Sequence, residues 1–243
     1  MEATSPRQDD GLREWRRGPV AVVELARPQR ANAYDAAMLA AFAAVLERLE
    51  AAGDVRVLVV TGAGERAFCA GADLGEIGAR RGEDALALAS AALFRRLEGY
   101  PKVCIAAING AAVAGGMELA LACDLRIAAE GARFALPEPG IGLIPAAGGM
   151  RRLTEIVGVG RAKEIILGGL EWTAAAALRH GLVSQVVPRA ALLDRALAWG
   201  EAIAMKDALA LTLAKRVMGR AAPPADELAV LAEALLYEKR SNR

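Results

Sequence analysis

Apolar positions along the chain keep two different rhythms. Short β-branched runs at Val20–Leu25, 55–61, Val103–Ile108, Leu125–Ala129 and 183–187 predict strands. The second of them, Val-Arg-Val-Leu-Val-Val-Thr, is apolar enough to be covered on both faces, as strands of a parallel sheet are. Between these runs the spacing changes to that of a helix. Met38, Leu39, Phe42, Val45, Leu46 and Leu49 share one face over Ala36–Ala51, where Asn32 or Asp35 supplies the N-cap and Gly53 the stop. Residues 83–98 predict an Ala/Leu-rich helix ending at Gly99, and residues 114–123 another. Short helices over 151–157, 161–167 and Ala174–Arg179 are separated by glycines.

After Pro188 the strands stop. From residue 190 onward only helical stripes remain, first Leu192, Leu193, Ala196, Leu197 and Ile203, then Leu209 to Met218, then a third beyond Pro223-Pro224. Strands alternating with helices, followed by helices alone, predict an α/β core over 15–188 and a helical region over 189–243. Residues 1–14 carry charge, Pro and Ser near the start and no long apolar run, and predict a disordered lead-in.

Composition narrows the classes. At 243 residues the chain can bury a sizeable core, and with 55% hydrophobic but only 4% aromatic residues that core is mostly Ala, Val, Leu and Ile. A net charge of +1 without a basic stripe points to neither nucleic acid nor anionic membranes, and disfavours an RNA-binding or scaffold role against a catalytic one. No apolar run approaches the ~20 residues of a membrane helix, and the N-terminus has no signal-type apolar segment. Cys69, Cys104 and Cys123 are odd in number and lack metal-ligand spacing. They read as reduced core residues of a cytoplasmic protein, and no metal is expected.

The candidate chemistry sits between residues 108 and 149. Gly62-Ala63-Gly64 also follows a strand, but it lacks the third glycine of a dinucleotide loop and the Gly-Lys-Ser/Thr of a P-loop, so it reads as a plain turn. Within 108–149, Ala114, Gly115 and Gly116 precede a helix whose first turn carries Glu118. The amide N–H groups at such an end lack intrahelical partners and favour developing negative charge. Met117, Leu119 and Ala120 flank Glu118, and burial among them raises a carboxyl pKa toward neutrality. Glu138 is bracketed by Pro137 and Pro139 amid Leu136, Ile141 and Leu143. Taken singly, Glu118 reads as a helix-end partner and Glu138 as a turn residue; together they form a candidate acid/base pair able to hold a water. His180 reads as a helix C-terminal residue beside Gly181, and Asp124 as a partner for a backbone or basic group.

Five motifs occur in a fixed order. They are Arg-Pro-x-x-x-Asn-Ala at 27–33, Phe-Cys-Ala-Gly-Ala-Asp at 68–73, Asn-Gly-x-Ala-x-x-Gly-Gly-x-Glu-Leu-Ala at 109–120, Pro-Glu-x-x-x-Gly-x-x-Pro at 137–145 and Gly-Leu-Val at 181–183. In these residues the chain resembles the enoyl-CoA hydratase/isomerase (crotonase) superfamily. The resemblance implies an α/β spiral of ββα units with a C-terminal α-helical trimerisation region, assembled as a homotrimer or a dimer of trimers. It implies an acyl-CoA thioester as substrate, the coenzyme A being carried by that substrate with no further cofactor. The N–H groups of Ala72 and Gly115 would form the oxyanion hole, and Ala70, Ala72, Asp73, Leu74, Gly75 and Gly115 would line the CoA path. Glu118 and Glu138 match the two glutamates of the hydratases, which deliver water across a 2-trans-enoyl-CoA double bond; the isomerases generally keep only the second. Ala114 stands where the family usually has a third glycine, and Gly-Gly-Met-Arg-Arg-Leu at 148–153 replaces the common Gly-Gly-Thr-Gln-Arg-Leu. The chain stops at Arg243, soon after a Leu-Leu-Tyr resembling the penultimate family helix, so the last helix is expected to be absent.

Overall fold

The computed structural model describes residues 7–73, 75–76 and 88–219. Its first described residues already belong to a sheet. Strands β1 (Arg7–Asp9) and β2 (Leu12–Arg17) form a hairpin, and β2 runs antiparallel to β3 (Val20–Leu25). Asp10 and Gly11 make the turn with φ of +37° and +79°, the left-handed geometry a two-residue hairpin needs. The disordered lead-in expected over 1–14 is therefore corrected for residues 7–14. Charges that argue against a strand are paired here. Arg13 sits opposite Glu24 and binds it at 2.7 Å, while buried Glu14 takes a two-pronged contact from Arg48. Residues 1–6 lie outside the described residues.

Helix α1 (Ala36–Ala51) follows, and Asp35 is its cap, accepting the Met38 N–H at 2.9 Å. Asn32, the other candidate, is buried and donates to the Ala63 and Ala67 carbonyls instead. The chain then repeats one unit. Strands β4 (Val57–Gly62) and β5 (Ala67–Cys69) precede α2 (Ala89–Glu98). Strands β6 (Val103–Ile108) and β7 (Ala111–Val113) precede α3 (Gly115–Ala122). Strands β8 (Leu125–Ala129) and β9 (Arg133–Ala135) precede α4 (Gly149–Ile166). The first strand of each unit joins a seven-stranded sheet ordered β1-β2-β3-β4-β6-β8 and a final strand, β11 (Gln185–Val187). The second strand joins a four-stranded sheet of β5, β7, β9 and, beyond β9, β10 (Trp172–Thr173). This is the expected spiral of ββα units.

The large sheet is parallel from β3 through β11, so it is covered on both faces. Ala21, Val23, Leu58, Val60 and Ala106 face the main core between the sheets and α1 to α4. Val20, Val22, Val57, Val59 and Ile105 alternate with them and face α6 (Leu192–Ala204). Gly200 lets α6 come close, since a Cβ there would lie 3.0 Å from a Val20 methyl. The two short helices expected over 151–157 and 161–167 are one element, α4, broken at Gly158 with φ of +80°. Helix α5 (Ala174–Arg179) leads to His180, whose ring packs at a 40° tilt against Trp172 with centroids 4.8 Å apart. The helical region beyond Pro188 is described as α6 and α7 (Ala208–Met218). The third stripe and the expected missing helix fall outside the described residues. Among the described residues no helix is long and apolar enough to cross a membrane.

Candidate active site

The site begins where β7 turns into α3. Ala114 takes φ +51° and ψ −129°, a conformation that favours glycine and costs a side-chain-bearing residue about 1–3 kcal/mol. The next two residues are glycine for lack of space. A Cβ on Gly115 would overlap the Tyr34 hydroxyl, and one on Gly116 would overlap the Cys69 carbonyl. Helix α3 thus starts with its backbone pressed against β5 and against the segment that follows it. Gly71, at φ +94°, lies so close that a Cβ on it would sit 3.0 Å from the Gly115 nitrogen.

The two expected oxyanion donors belong to these adjoining backbones. Gly115 opens α3, so its N–H has no acceptor within the helix. Ala72 forms an isolated bridge with Tyr34. That bridge uses the Gly71 carbonyl, 2.9 Å from the Tyr34 nitrogen, and the Asp73 N–H, 2.8 Å from the Tyr34 carbonyl. The Ala72 N–H takes no part in it. Of the other residues expected along the CoA path, Ala70 is tied by its N–H to the Ala31 carbonyl at 3.0 Å. Asp73 binds Arg30 at 2.6 Å, Arg27 at 3.3 Å and the Gly75 N–H at 3.0 Å, and the Arg30 hydrogen bond leads in holding its carboxyl below the usual range. Leu74 lies outside the described residues.

Glu118 is one turn into α3 and 4% exposed. Its Oε1 accepts the Gly149 N–H at 2.8 Å, and the Ala147 N–H also serves it. Burial raises its pKa, while those two N–H groups and the Arg152 charge pull it back. Gly149 must be glycine, because a Cβ there would lie 2.7 Å from Glu118 Cγ. Glu138 opens a 3-10 turn over Glu138–Ile141 and is 8% exposed. Its Oε2 is buried without a hydrogen-bond partner. Burial pushes its pKa up to about 7, with the charge of Glu118 adding to the rise against its own backbone N–H. The structure therefore brings the two glutamates within electrostatic reach in unequal environments. One carboxylate is steadied by N–H donors; the other keeps a substantial share of its neutral form up to about pH 7.

Tyr34, Gly149 and Arg152 belong to this site and were not singled out in the sequence. Tyr34 directly follows the Asn-Ala of the first motif, and its ring packs edge-on against Phe94 with centroids 5.9 Å apart. Gly149 and Arg152 lie in the 148–153 run, where a pair of glycines before a helix was the available signal. Asp124 stays outside the site, accepting from the Cys104 N–H at 2.7 Å and pairing with Lys215 at 2.8 Å. The three cysteines are free and buried, and burial pushes the thiols of Cys69 and Cys123 up to about 12. Among the described residues no group of three His, Cys, Asp or Glu is arranged to hold a metal.

Comparison with known proteins covers nearly all of this architecture. Residues 16–243 match the family model described as enoyl-CoA hydratase/isomerase. YngF of Bacillus subtilis is 44% identical over 200 residues, which span 81% of this chain and 76% of that protein. The short-chain-enoyl-CoA hydratase of Clostridium acetobutylicum is 38% identical over 205 residues, 84% of this chain and 78% of its own. The crystal structure of enoyl-CoA hydratase from Bacillus anthracis superposes with a TM-score of 0.88 at 36% identity, covering 92% of this chain and 90% of that one.

Proposed function

The chain belongs to the enoyl-CoA hydratase/isomerase family and has its crotonase fold, and on that premise we propose that it is an enoyl-CoA hydratase, adding water across the double bond of a 2-trans-enoyl-CoA to give a 3-hydroxyacyl-CoA. The observation that carries this reading is the pair of buried glutamates with unequal surroundings, beside a helix start whose N–H groups are open. The thioester oxygen accepts hydrogen bonds from the Ala72 and Gly115 N–H groups, which hold the charge of the enolate as it forms. Each such donor is worth ~10²–10³ in rate. The Glu118 carboxylate takes a proton from water as the hydroxide adds to C3. Glu138, still partly protonated near pH 7, gives its proton to C2. A proton returned from Glu118 to Glu138 restores the starting state.

The substrate brings its own coenzyme A, and the reaction uses no further cofactor. The proposal includes a homotrimer or dimer of trimers, formed through the helical region after Pro188, in the cytoplasm. Glu118→Gln and Glu138→Gln are each expected to lower kcat for 2-enoyl-CoA hydration by about 10²–10⁴ while the affinity for a saturated acyl-CoA stays within a few-fold. Near-wild-type rates in both variants defeat the two-carboxylate mechanism. Turnover of a 3-enoyl-CoA and a 2-enoyl-CoA, measured side by side, separates hydration from the double-bond isomerisation that the family also contains.

A further inference from the structure

A cavity of about 670 Å³ opens between the C-terminal end of α2, the first turn of α4 and the outer part of α7. Five cations line it, Arg95, Arg151, Arg152, Lys215 and Arg216, against one acid, Glu98. The whole chain carries only +1, so this concentration is local. Some of the charge is already engaged. Arg151 grips the Glu98 carboxylate at 2.5 and 2.7 Å, and Arg152 reaches it at 2.9 Å. Lys215 is committed to Asp124. The guanidinium groups of Arg95 and Arg216 have no partner among the described residues, and the buried Nε of Arg152 has none either. Ala91, Tyr100, Pro101 and Ala146 give the same cavity an apolar wall.

Planar guanidinium forks match carboxylates, and Glu98 already occupies part of the site in that role. We infer that this cavity binds the carboxylate of a small organic acid, its head taken by Arg95 and Arg216 and its apolar stem by the wall near Tyr100 and Ala146. The plainer reading gives Arg95 and Arg216 to the C-terminal ends of α2 and α7, where cations meet the helix dipole. Both are exposed, and that reading does not account for their lining the same cavity together with an apolar wall.

The cavity shares a wall with the glutamate site. The turn over 147–149 gives its Gly149 N–H to Glu118, while the Ala147 carbonyl of the same turn accepts from Arg152 at 2.8 Å. The carboxylate therefore has two possible sources: the far end of an acyl chain attached to CoA, or a free acid binding beside the active site. Only the first rests on the hydratase reading.

Two measurements on the full chain test the site. Calorimetry compares hexanoate with its neutral analogue hexanamide, and kinetics compares a 2-enoyl-CoA ending in a carboxylate with its methyl-ended isostere. The wild type is expected to favour the charged member of at least one pair by about tenfold. The double variant Arg95→Gln/Arg216→Gln is expected to lose that preference, with turnover of the methyl-ended thioester and the circular dichroism unchanged. A preference in kcat/KM that hexanoate inhibits competitively assigns the carboxylate to the acyl chain. Hexanoate binding that changes kcat without competing assigns it to a free acid. No preference in either pair, or a preference that survives in the double variant, overturns the inference. If neither thioester turns over, the hydratase reading fails, and the calorimetric pair alone decides the cavity.

Discussion

Glu138 keeps one carboxyl oxygen buried with no donor to meet it, a condition a neutral carboxyl tolerates and a carboxylate does not. The consequence has a definite sign. The folded carboxyl holds its proton up to about 7, whereas the unfolded one releases it near 4.5. Between those values the unfolded state sheds its proton first, so this residue makes folding less favourable as pH rises and adds no further change above about 7. Glu138→Gln is therefore expected to match the wild type in urea denaturation at pH 4 and to exceed it at pH 8. In the proposed reaction the same proton is the one given to C2, so kcat/KM for hydration falls as pH rises through about 7. A rate that climbs through that range removes Glu138 as the acid. Ala114 is the other residue under strain. Ala114→Gly is expected to raise stability by about 1 kcal/mol in denaturant titration, relief of the positive φ outweighing the added freedom of the unfolded chain. At this scale the sequence was legible where a residue type was out of place, as a Glu among apolar neighbours is. Tyr34 and Arg152 act through contacts with residues 81 and 54 positions away, at Gly115 and Glu98, and no local signal marks such partners.

Elements with long apolar runs were legible for a physical reason: a strand covered on both faces must be apolar throughout. Val103–Ile108 and Leu125–Ala129 lie where the pattern put them. The second sheet was not legible, because β5, β7 and β9 have three residues each, too few to show a period of two. Those short strands nonetheless set the site, since β5 is the surface against which α3 starts. Gly116→Ala tests that contact. Its Cβ would fall 2.6 Å from the Cys69 carbonyl carbon, and both partners are main chain, so one element has to move. The expected loss is about 1–3 kcal/mol of stability. Because α3 carries the Gly115 N–H, kcat is expected to fall ~10²-fold even in the folded fraction. A variant equally unstable but fully active would mean that the helix start does not set the rate.

Among the described residues the seven-stranded sheet is covered from two sides, and the helices after Pro188 are fastened to it in different ways. Helix α6 is anchored by apolar burial of Leu192, Ala196, Leu197 and Ile203 on the large sheet. Helix α7 has no fully buried residue. Partly buried Leu211 packs against the sheet-side core, and polar contacts supply the rest among the described residues: Thr212 to the Pro101 carbonyl at 2.8 Å, and Lys215 to Asp124 at 2.8 Å and to the Lys102 carbonyl at 3.2 Å. Contacts of this kind contribute about 1 kcal/mol each, less than the burial that secures β4 or β6. The amides of α7 are therefore expected to exchange with deuterium through a local opening, well before those of the central strands. Lys215→Met should speed exchange in α7 by about tenfold, corresponding to ~1.4 kcal/mol, and leave β4 nearly unchanged. Exchange of α7 only in step with global unfolding would show that it is held as firmly as the sheet. Because α7 also forms a wall of the cationic cavity, hexanoate should slow this same exchange in the wild type and not in Arg95→Gln/Arg216→Gln, which ties the looseness of the helix to what binds beneath it.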